Sequence, residues 1–310
     1  GSEMCIRDRV TPVSATYRDH QVWELPPNGQ GIAALEMLSI LDGYGPEDDA
    51  SLRWHRLIEA KKLAYEDRAK YYADMQFSDV PVEALLDKGY AAERAKLIDM
   101  ERAARTLEPG NPALNHGDTT FLVAADSDGM LVSLIQSNYT GFGSGYVVPA
   151  VGIGIQDRGA LFTLDPDHPN ALEPGKRPFH TIIPAFMGWD GTPDTAFGLM
   201  GGGMQPQGHV QIVVNLVDFG MNLQEAGDAP RFYHTGSSQP TGTVMTSGGI
   251  LHLEKGLPPE IYRDLNKRGH RIQEVNPVAF GGYQAIHRNP KTGVLAGATE
   301  SRKDGMAAGY

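Results

Sequence analysis

Cysteine is nearly absent: Cys5 is the single one among 310 residues. No disulfide can therefore close within the chain, and no Cys/His group has the spacing of a zinc site. The ten histidines are scattered, so neither a metal nor any other cofactor is expected. No apolar run approaches the ~20 residues needed to span a bilayer, so no membrane span is expected. Basic residues are the minority, 27 Lys and Arg against 38 Asp and Glu for a net charge of −11. No basic stripe offsets that balance, which argues against nucleic acid as a partner. Disorder is excluded too, because 41% of the residues are hydrophobic and 21% charged, as in ordinary globular proteins. No secretory leader is visible. The opening run Gly1 to Arg9 lacks apolar periodicity and reads as a non-native leader, with a frayed terminus as the alternative. The compartment, cytoplasmic or periplasmic, is left unknown.

From Val10 to Arg105 the pattern is mostly helical. Gln21 to Leu25 reads as a short extended segment ended by Pro26, Pro27 and Gly29. Ile32, Leu35, Leu38 and Leu41 place a helix over about 31–41, stopped by Gly43 and Gly45. Trp54, Leu57, Ile58, Ala64, Tyr65, Ala69 and Tyr72 form a broad stripe on a longer helix over 51–73, with Ser51 as its N-cap. Ala91 to Arg105 reads as a third, charged helix. The segment from Glu108 to Asp118, rich in Pro, Gly, Asn and Asp, is the best linker in the chain.

After it the periodicity changes from helix to strand. Thr120–Ala125 and Met130–Ser137 are β-rich and joined by Asp126-Ser127-Asp128-Gly129, a hairpin signature. Further strands are expected at 195–200, 270–275, 283–287 and 294–298. Helices are expected at 210–217, 222–229 and 258–268, the last closed by Gly269. Helices first, then hairpins, then mixed elements point to a layered α+β fold.

Several chemistries fail on spacing. Gly141-Phe142-Gly143-Ser144-Gly145 is not a dinucleotide fingerprint, Gly175-Lys176 is followed by Arg177 and not by Ser or Thr, and no Gly-x-Ser-x-Gly elbow is present. Asp118-Thr119-Thr120 remains, at the junction of linker and hairpin. A threonine hydroxyl becomes an effective nucleophile when its own free α-amine serves as base, which requires chain cleavage before it. A threonine at a strand start is also common for no reason but β-propensity.

Beyond these local readings, the chain from about Thr11 onward resembles the gamma-glutamyltransferase family. The resemblance rests on ordered segments: Thr11 to Arg18, Glu59 to Arg68, Asp118-Thr119-Thr120, Gly175-Lys176-Arg177-Pro178, Gly201-Gly202, Asp228 to Phe232 and Ala308-Gly309-Tyr310. It implies a four-layer αββα N-terminal-nucleophile hydrolase, made as a proenzyme that cuts itself between Asp118 and Thr119. By that resemblance residues 10–118 are the C-terminal part of a large subunit and 119–310 the small catalytic subunit. The N-terminal part of the large subunit is then missing, the fold is N-terminally truncated, and a processed heterotetramer is possible. Thr119 is then the nucleophile, Ser137 an assisting hydroxyl, and Gly201 and Gly202 the oxyanion hole. His180 and Thr181 fall where the family has two serines near a substrate carboxylate.

Three positions depart from the family. The Asn, Gln and Asp that hold the α-amino and α-carboxylate groups of a gamma-glutamyl substrate read here Tyr139, Arg158 and Leu161. Loss of the carboxylate at Leu161 removes the counter-charge for an ammonium, and Arg158 would repel one and attract a carboxylate. The expected substrate is therefore a small-molecule amide, gamma-glutamyl or an anionic acyl amide without an α-amine of the oxamate type, with water or an amine as acceptor. In the bland alternative Arg158 pairs with Asp157 or another surface acid. The segment from Thr163 to Glu173, where the family often carries a lid, is shortened. Two rival readings stand beside this one: an uncut relative acting as a binding module, and a conventional hydrolase using His180 or His209.

Overall fold

The computed structural model describes residues 9–107, 118–275 and 277–309. The linker read at 108–117 and the opening segment up to Asp8 lie outside the described residues.

The chain opens with an antiparallel pair, β1 (Val13–Tyr17) and β2 (His20–Glu24). Next come α1 (Gly31–Asp42) and α2 (Ala50–Tyr71), then the short α3 (Val82–Leu85) and α4 (Lys88–Ala95). A hairpin follows, β3 (Asp118–Ala125) with β4 (Leu131–Tyr139), and a two-residue pair, β5 (Val147–Val148) with β6 (Ile153–Gly154). β7 (Ala185–Trp189) and β8 (Thr192–Met200) lead into α5 (Gln205–Val217) and α6 (Leu223–Asp228). The remainder is β9 (Phe232–Thr235), β10 (Ile250–Leu253), α7 (Pro259–Lys267), β11 (Gly282–Arg288) and β12 (Leu295–Thr299).

The main sheet is wholly antiparallel, in the order β1-β2-β7-β8-β11-β12. Segments from both sides of the linker thus share one sheet, β2 pairing with β7 through His20–Trp189 to Trp23–Phe186. Side chains alternate across a strand, and β8 shows what that achieves. Leu199 faces the helices, where a Cβ added to Gly208 of α5 would meet its methyls at 2.8 Å; Gly198 faces the other way, where the ring of Phe121 fills the space a side chain would need. The β3–β4 hairpin therefore lies on the second face of the sheet as a second β layer, and Ser133 Oγ donates to the Phe197 carbonyl at 3.3 Å beside it. On the hairpin Phe121 is buried while Leu122 and Leu134, on the opposite face, are exposed. The result is the α+β layering read from the sequence: helices, six-stranded sheet, then hairpin. No helix among the described residues is long and apolar enough to cross a membrane.

Three local expectations are corrected, and one strand is added. The N-cap of α2 is Asp49, not Ser51, because the Asp49 carboxylate accepts from the Ser51 and Leu52 N–H groups. The helix read over 91–105 ends at Ala95. Beyond it the backbone bonds elsewhere: the Asp99 carbonyl meets His55 Nε2, Ala103 N–H donates to the Arg268 carbonyl, and Ala104 N–H donates to Glu59. Tertiary partners replace the i→i−4 ladder there. The strand read at 270–275 is reduced to a bridge between Ile272 and Leu251. The strand β7 was not foreseen, since Ala-Phe-Met-Gly-Trp lacks the β-branched residues that mark strands.

The contact of α2 with the turn after α7 centres on two buried imidazoles, His55 Nδ1 lying 2.8 Å from His270 Nε2. Burial, with Lys62 and His55 nearby, pushes the His270 pKa from 6.5 down to about 2. Between those values the unfolded chain binds a proton that the folded chain refuses, so stability falls as pH drops below 6.5. At pH 5 the loss from this ring is on the order of 2 kcal/mol. In urea titrations at pH 7 and pH 5, His270→Gln is expected to show a smaller acid loss than the parent chain by about that amount. An equal loss in both would contradict it.

Candidate active site

Thr119 and Ser137 face each other across the open end of the hairpin, with Thr119 Oγ1 donating to Ser137 Oγ at 3.1 Å. Thr119 is buried. The register then slips: Thr119 pairs with Ser137 but Asp118 with Tyr139, leaving Asn138 as a bulge. Bulges re-aim the next side chain, and here Tyr139 takes φ 79°, unusual for a non-glycine residue. Its N–H donates to Ser137 Oγ at 2.9 Å, which holds the turn.

The hairpin's direction on the sheet sets where this end points. Val123 pairs with Ser133, which bonds to Phe197, and Phe121 sits over Gly198. Moving from Val123 to Phe121 to Thr119 thus runs along β8 toward its C-terminal end. There the chain turns through Gly201, φ 132°, and Gly202, φ 57°, before a short 3₁₀ turn and α5. Such values suit glycine, whose lack of Cβ lets a backbone N–H approach a ligand closely.

Arg158 opens a 3₁₀ turn beyond the hairpin, and its guanidinium carbon lies 5.4 Å from the centre of the Tyr139 ring. It is buried, and Nη1 donates to Thr181 Oγ1 at 3.2 Å. Nη2 is enclosed without a hydrogen-bond partner. The ion pair expected in the bland reading is not formed among the described residues, because the Asp157 carboxylate accepts from the N–H and hydroxyl of Thr140. Burial lowers the Arg158 pKa, with Tyr139 and Asp157 opposing. Tyr139 moves the other way, burial raising it to about 12 against the charges of Arg158 and Arg68.

The backbone of Thr181 closes the circuit. The amide nitrogen of Gln30 donates to the Thr181 carbonyl at 2.8 Å and to the Gly202 carbonyl at 2.9 Å. The residues read from the sequence, Thr119, Ser137, Tyr139, Arg158, Thr181 and Gly202, are thus linked in one continuous series of contacts. His180 stands beside it: its N–H donates to the Asn28 carbonyl, its Nδ1 is enclosed without a partner, and burial next to Arg158 and Arg177 lowers its pKa to about 3. It is a neutral ring at neutral pH. Asp118 is present in β3 as backbone, paired with Tyr139. His209 is spent in the core, with Nδ1 2.7 Å from Glu24 and Nε2 accepting the Leu199 N–H. The segment after Thr163 is fastened down by the buried Asn170, which bonds to the Leu161 and Pro240 carbonyls and the Phe179 N–H.

Sequence reasoning missed Gln30 and Arg68 as site residues. Arg68 left a signal, since Leu57, Lys61, Ala64 and Arg68 share the apolar stripe of α2, where a charge demands a buried partner. Among the described residues one group has metal-ligand spacing, His55, Glu59 and His270. Its donors are engaged: the two rings bond each other, and Glu59 holds the Lys62 ammonium at 2.7 Å.

Comparison with known proteins follows this geometry. The family model described as Gamma-glutamyltranspeptidase matches residues 7–310. The chain is 35% identical over 306 residues to the glutathione hydrolase-like YwrD proenzyme of Bacillus subtilis, covering 97% of this chain and 56% of that protein. It is 36% identical over 305 residues to the oxamate amidohydrolase proenzyme of Klebsiella pneumoniae, with coverage of 97% and 56%. The solved cephalosporin acylase from Bacillus halodurans superposes with a TM-score of 0.86 at 48% identity, covering 97% of this chain and 53% of that one. The chain spans about half the length of the curated relatives it matches.

The turn at Gly201 is open to a direct check. A methyl at Gly201 meets a φ of 132° and the Met204 Cβ at 3.1 Å, whereas one at Gly203 meets nothing within 4 Å. Gly201→Ala is expected to lose about 1–3 kcal/mol in denaturant unfolding. Gly203→Ala should lose a small fraction of that. Equal losses would contradict the strained turn.

Proposed function

The chain belongs to the gamma-glutamyltranspeptidase family, and on that premise we propose that it carries the catalytic half of a self-processing threonine amidohydrolase or acyltransferase. Cleavage falls between Asp118 and Thr119. The Thr119 hydroxyl attacks the Asp118 carbonyl and the acyl group passes from nitrogen to Oγ1, freeing the Thr119 amine; water then hydrolyses the ester to a carboxylate on Asp118 and the regenerated Thr119 hydroxyl. That amine is then the base: it takes the hydroxyl proton as Oγ1 attacks a substrate amide and passes it to the departing amine. Water or an amine acceptor releases the acyl group from Thr119. Ser137 orients Oγ1, and the N–H groups of Gly201 and Gly202 face the developing oxyanion.

The observation that carries this reading is the unbroken series of contacts from Thr119 to Gly202, made by residues far apart in sequence. The relatives named as proenzymes agree with it. For the acyl group, the enclosed and unpartnered Nη2 of Arg158 supports a carboxylate in place of an α-ammonium. Thr181 and Tyr139 lie against the same guanidinium, and the neutral His180 ring adds no competing charge.

Three measurements test the proposal. Intact mass of the purified protein is expected to show a fragment beginning at Thr119, absent from Thr119→Ala, which should also lose turnover; an uncut yet active Thr119→Ala would sink the reading and favour a conventional hydrolase. Arg158→Leu is expected to lower kcat/KM for a carboxylate-bearing acyl amide by roughly 10–100-fold, the value of hydrogen bonds to a charged group. A neutral acyl amide should change little. Efficient turnover of a gamma-glutamyl anilide relative to oxamate would contradict the choice of acyl group while leaving Thr119 in place.

A further inference from the structure

Gly201 and Gly202 present a difficulty. Glycine backbones range widely in φ and ψ, and inside the turn a bond from Met204 N–H to the Gly201 carbonyl at 3.0 Å restrains one peptide plane, so a fixed direction for both donors calls for further restraint from outside. Gln30 is placed to do so. It precedes α1 at the N-cap position, yet its side chain makes no capping bond. The amide is fully buried and turned toward the site, with Nε2 bonded to the Gly202 and Thr181 carbonyls. Its oxygen accepts from Arg68 Nη1 at 2.6 Å.

That third bond decides the orientation of the other two. A guanidinium has donors only, so it must meet the amide oxygen, and the NH₂ group must then meet the two carbonyls. Arg68 is itself fixed: it is fully buried, its guanidinium carbon is 3.7 Å from the Tyr65 ring centre, and Nη2 donates to Ser238 O at 3.1 Å and Gln239 Oε1 at 2.5 Å. No carboxylate pairs with it among the described residues. Glu66 acts on it only at longer range, and burying a cation without a direct ion pair is costly, which suits a group retained for what it orients. Tyr65 adds a second restraint by donating to the Gly203 carbonyl at 2.6 Å.

We infer that Gln30, oriented by Arg68, is a positioning residue that holds the oxyanion turn at Gly202 and the acyl-anion pocket at Thr181 in register through one amide nitrogen. This rests on the reading of Thr119 and the glycine turn given above. With Gly202 O held, the Gly202–Gly203 peptide plane is fixed, which anchors the turn one residue beyond the Gly202 N–H; with Thr181 O held, the residue whose hydroxyl accepts the Arg158 bond is anchored too. A substrate gripped at its carboxylate then meets the oxyanion donors at a set separation, the positioning on which rates depend steeply.

The test uses the processed enzyme and compares Gln30→Met, which keeps length and loses all three bonds, with Gln211→Met. Gln211 is a buried amide of the same kind, donating to the Gln207 and Phe232 carbonyls at 2.8 and 3.1 Å, without contact to Thr181 or Gly202. Both variants should lose stability. Gln30→Met is expected to lower kcat at least about 10-fold, toward the 10²-fold of a lost oxyanion donor, and to raise KM for a carboxylate-bearing donor but not for a neutral one. Gln211→Met should keep both constants. Should Gln30→Met fail to fold, Gln30→Glu retains the Arg68 contact but turns a carboxylate oxygen toward two carbonyls. Its activity deficit should shrink as the pH is lowered and the carboxyl gains a proton. Normal kcat and KM in Gln30→Met, or a pH-independent wild-type rate in Gln30→Glu, overturns the inference while an inactive Thr119→Ala leaves the wider reading standing. An active Thr119→Ala removes both.

Discussion

The bond from the Thr119 hydroxyl to Ser137 follows from the register of the hairpin that carries both, and that hairpin is seated on the main sheet where a side chain is missing. Gly198 leaves a space on β8 that the Phe121 ring fills. That contact sets the height and direction of the hairpin, and with them the end at which Thr119 emerges. The bulge at Asn138 then turns Tyr139 out of the strand. The site is therefore assembled by sheet packing, and its loops are fitted to it afterwards.

The second constraint is electrostatic. Arg68 and Arg158 are both buried, and neither forms an ion pair among the described residues. Two buried cations whose nearest acids, Glu66 and Asp157, act without direct ion pairing favour a negative charge placed between hydrogen-bond donors. An anionic acyl group in the ground state and an oxyanion in the transition state are both charges of that sign. Burial, with the charges of Arg158 and Arg177, disfavours protonation of His180 as well. A residue that simply stabilised the fold would more economically be apolar at either position.

Much of this was legible in the residues themselves. Periodicity located α1, α2 and α5, and the Asp-Gly turn located the hairpin. The other candidate site residues came from the family resemblance; the local reading kept Thr119 as a candidate nucleophile beside the commoner one of a strand-start threonine. What escaped was tertiary in origin. The segment after Ala95 looked helical because its propensities are helical, yet its backbone bonds to α2 and to the turn after α7. Gln30 carried no local mark, being a polar residue beside Gly29 and Gly31 whose partners lie about 150 and 170 positions away. Its meaning appears only when Thr181 and Gly202 are brought to the same nitrogen.

The central claim concerns a single bond to a single oxygen, so the most direct measurement is of the covalent intermediate. The processed enzyme, quenched in acid during turnover of a slow carboxylate-bearing anilide and digested, should carry the acyl mass on a peptide whose first residue is Thr119. An adduct on another residue, or on a peptide in which Asp118 and Thr119 remain joined, would contradict the account.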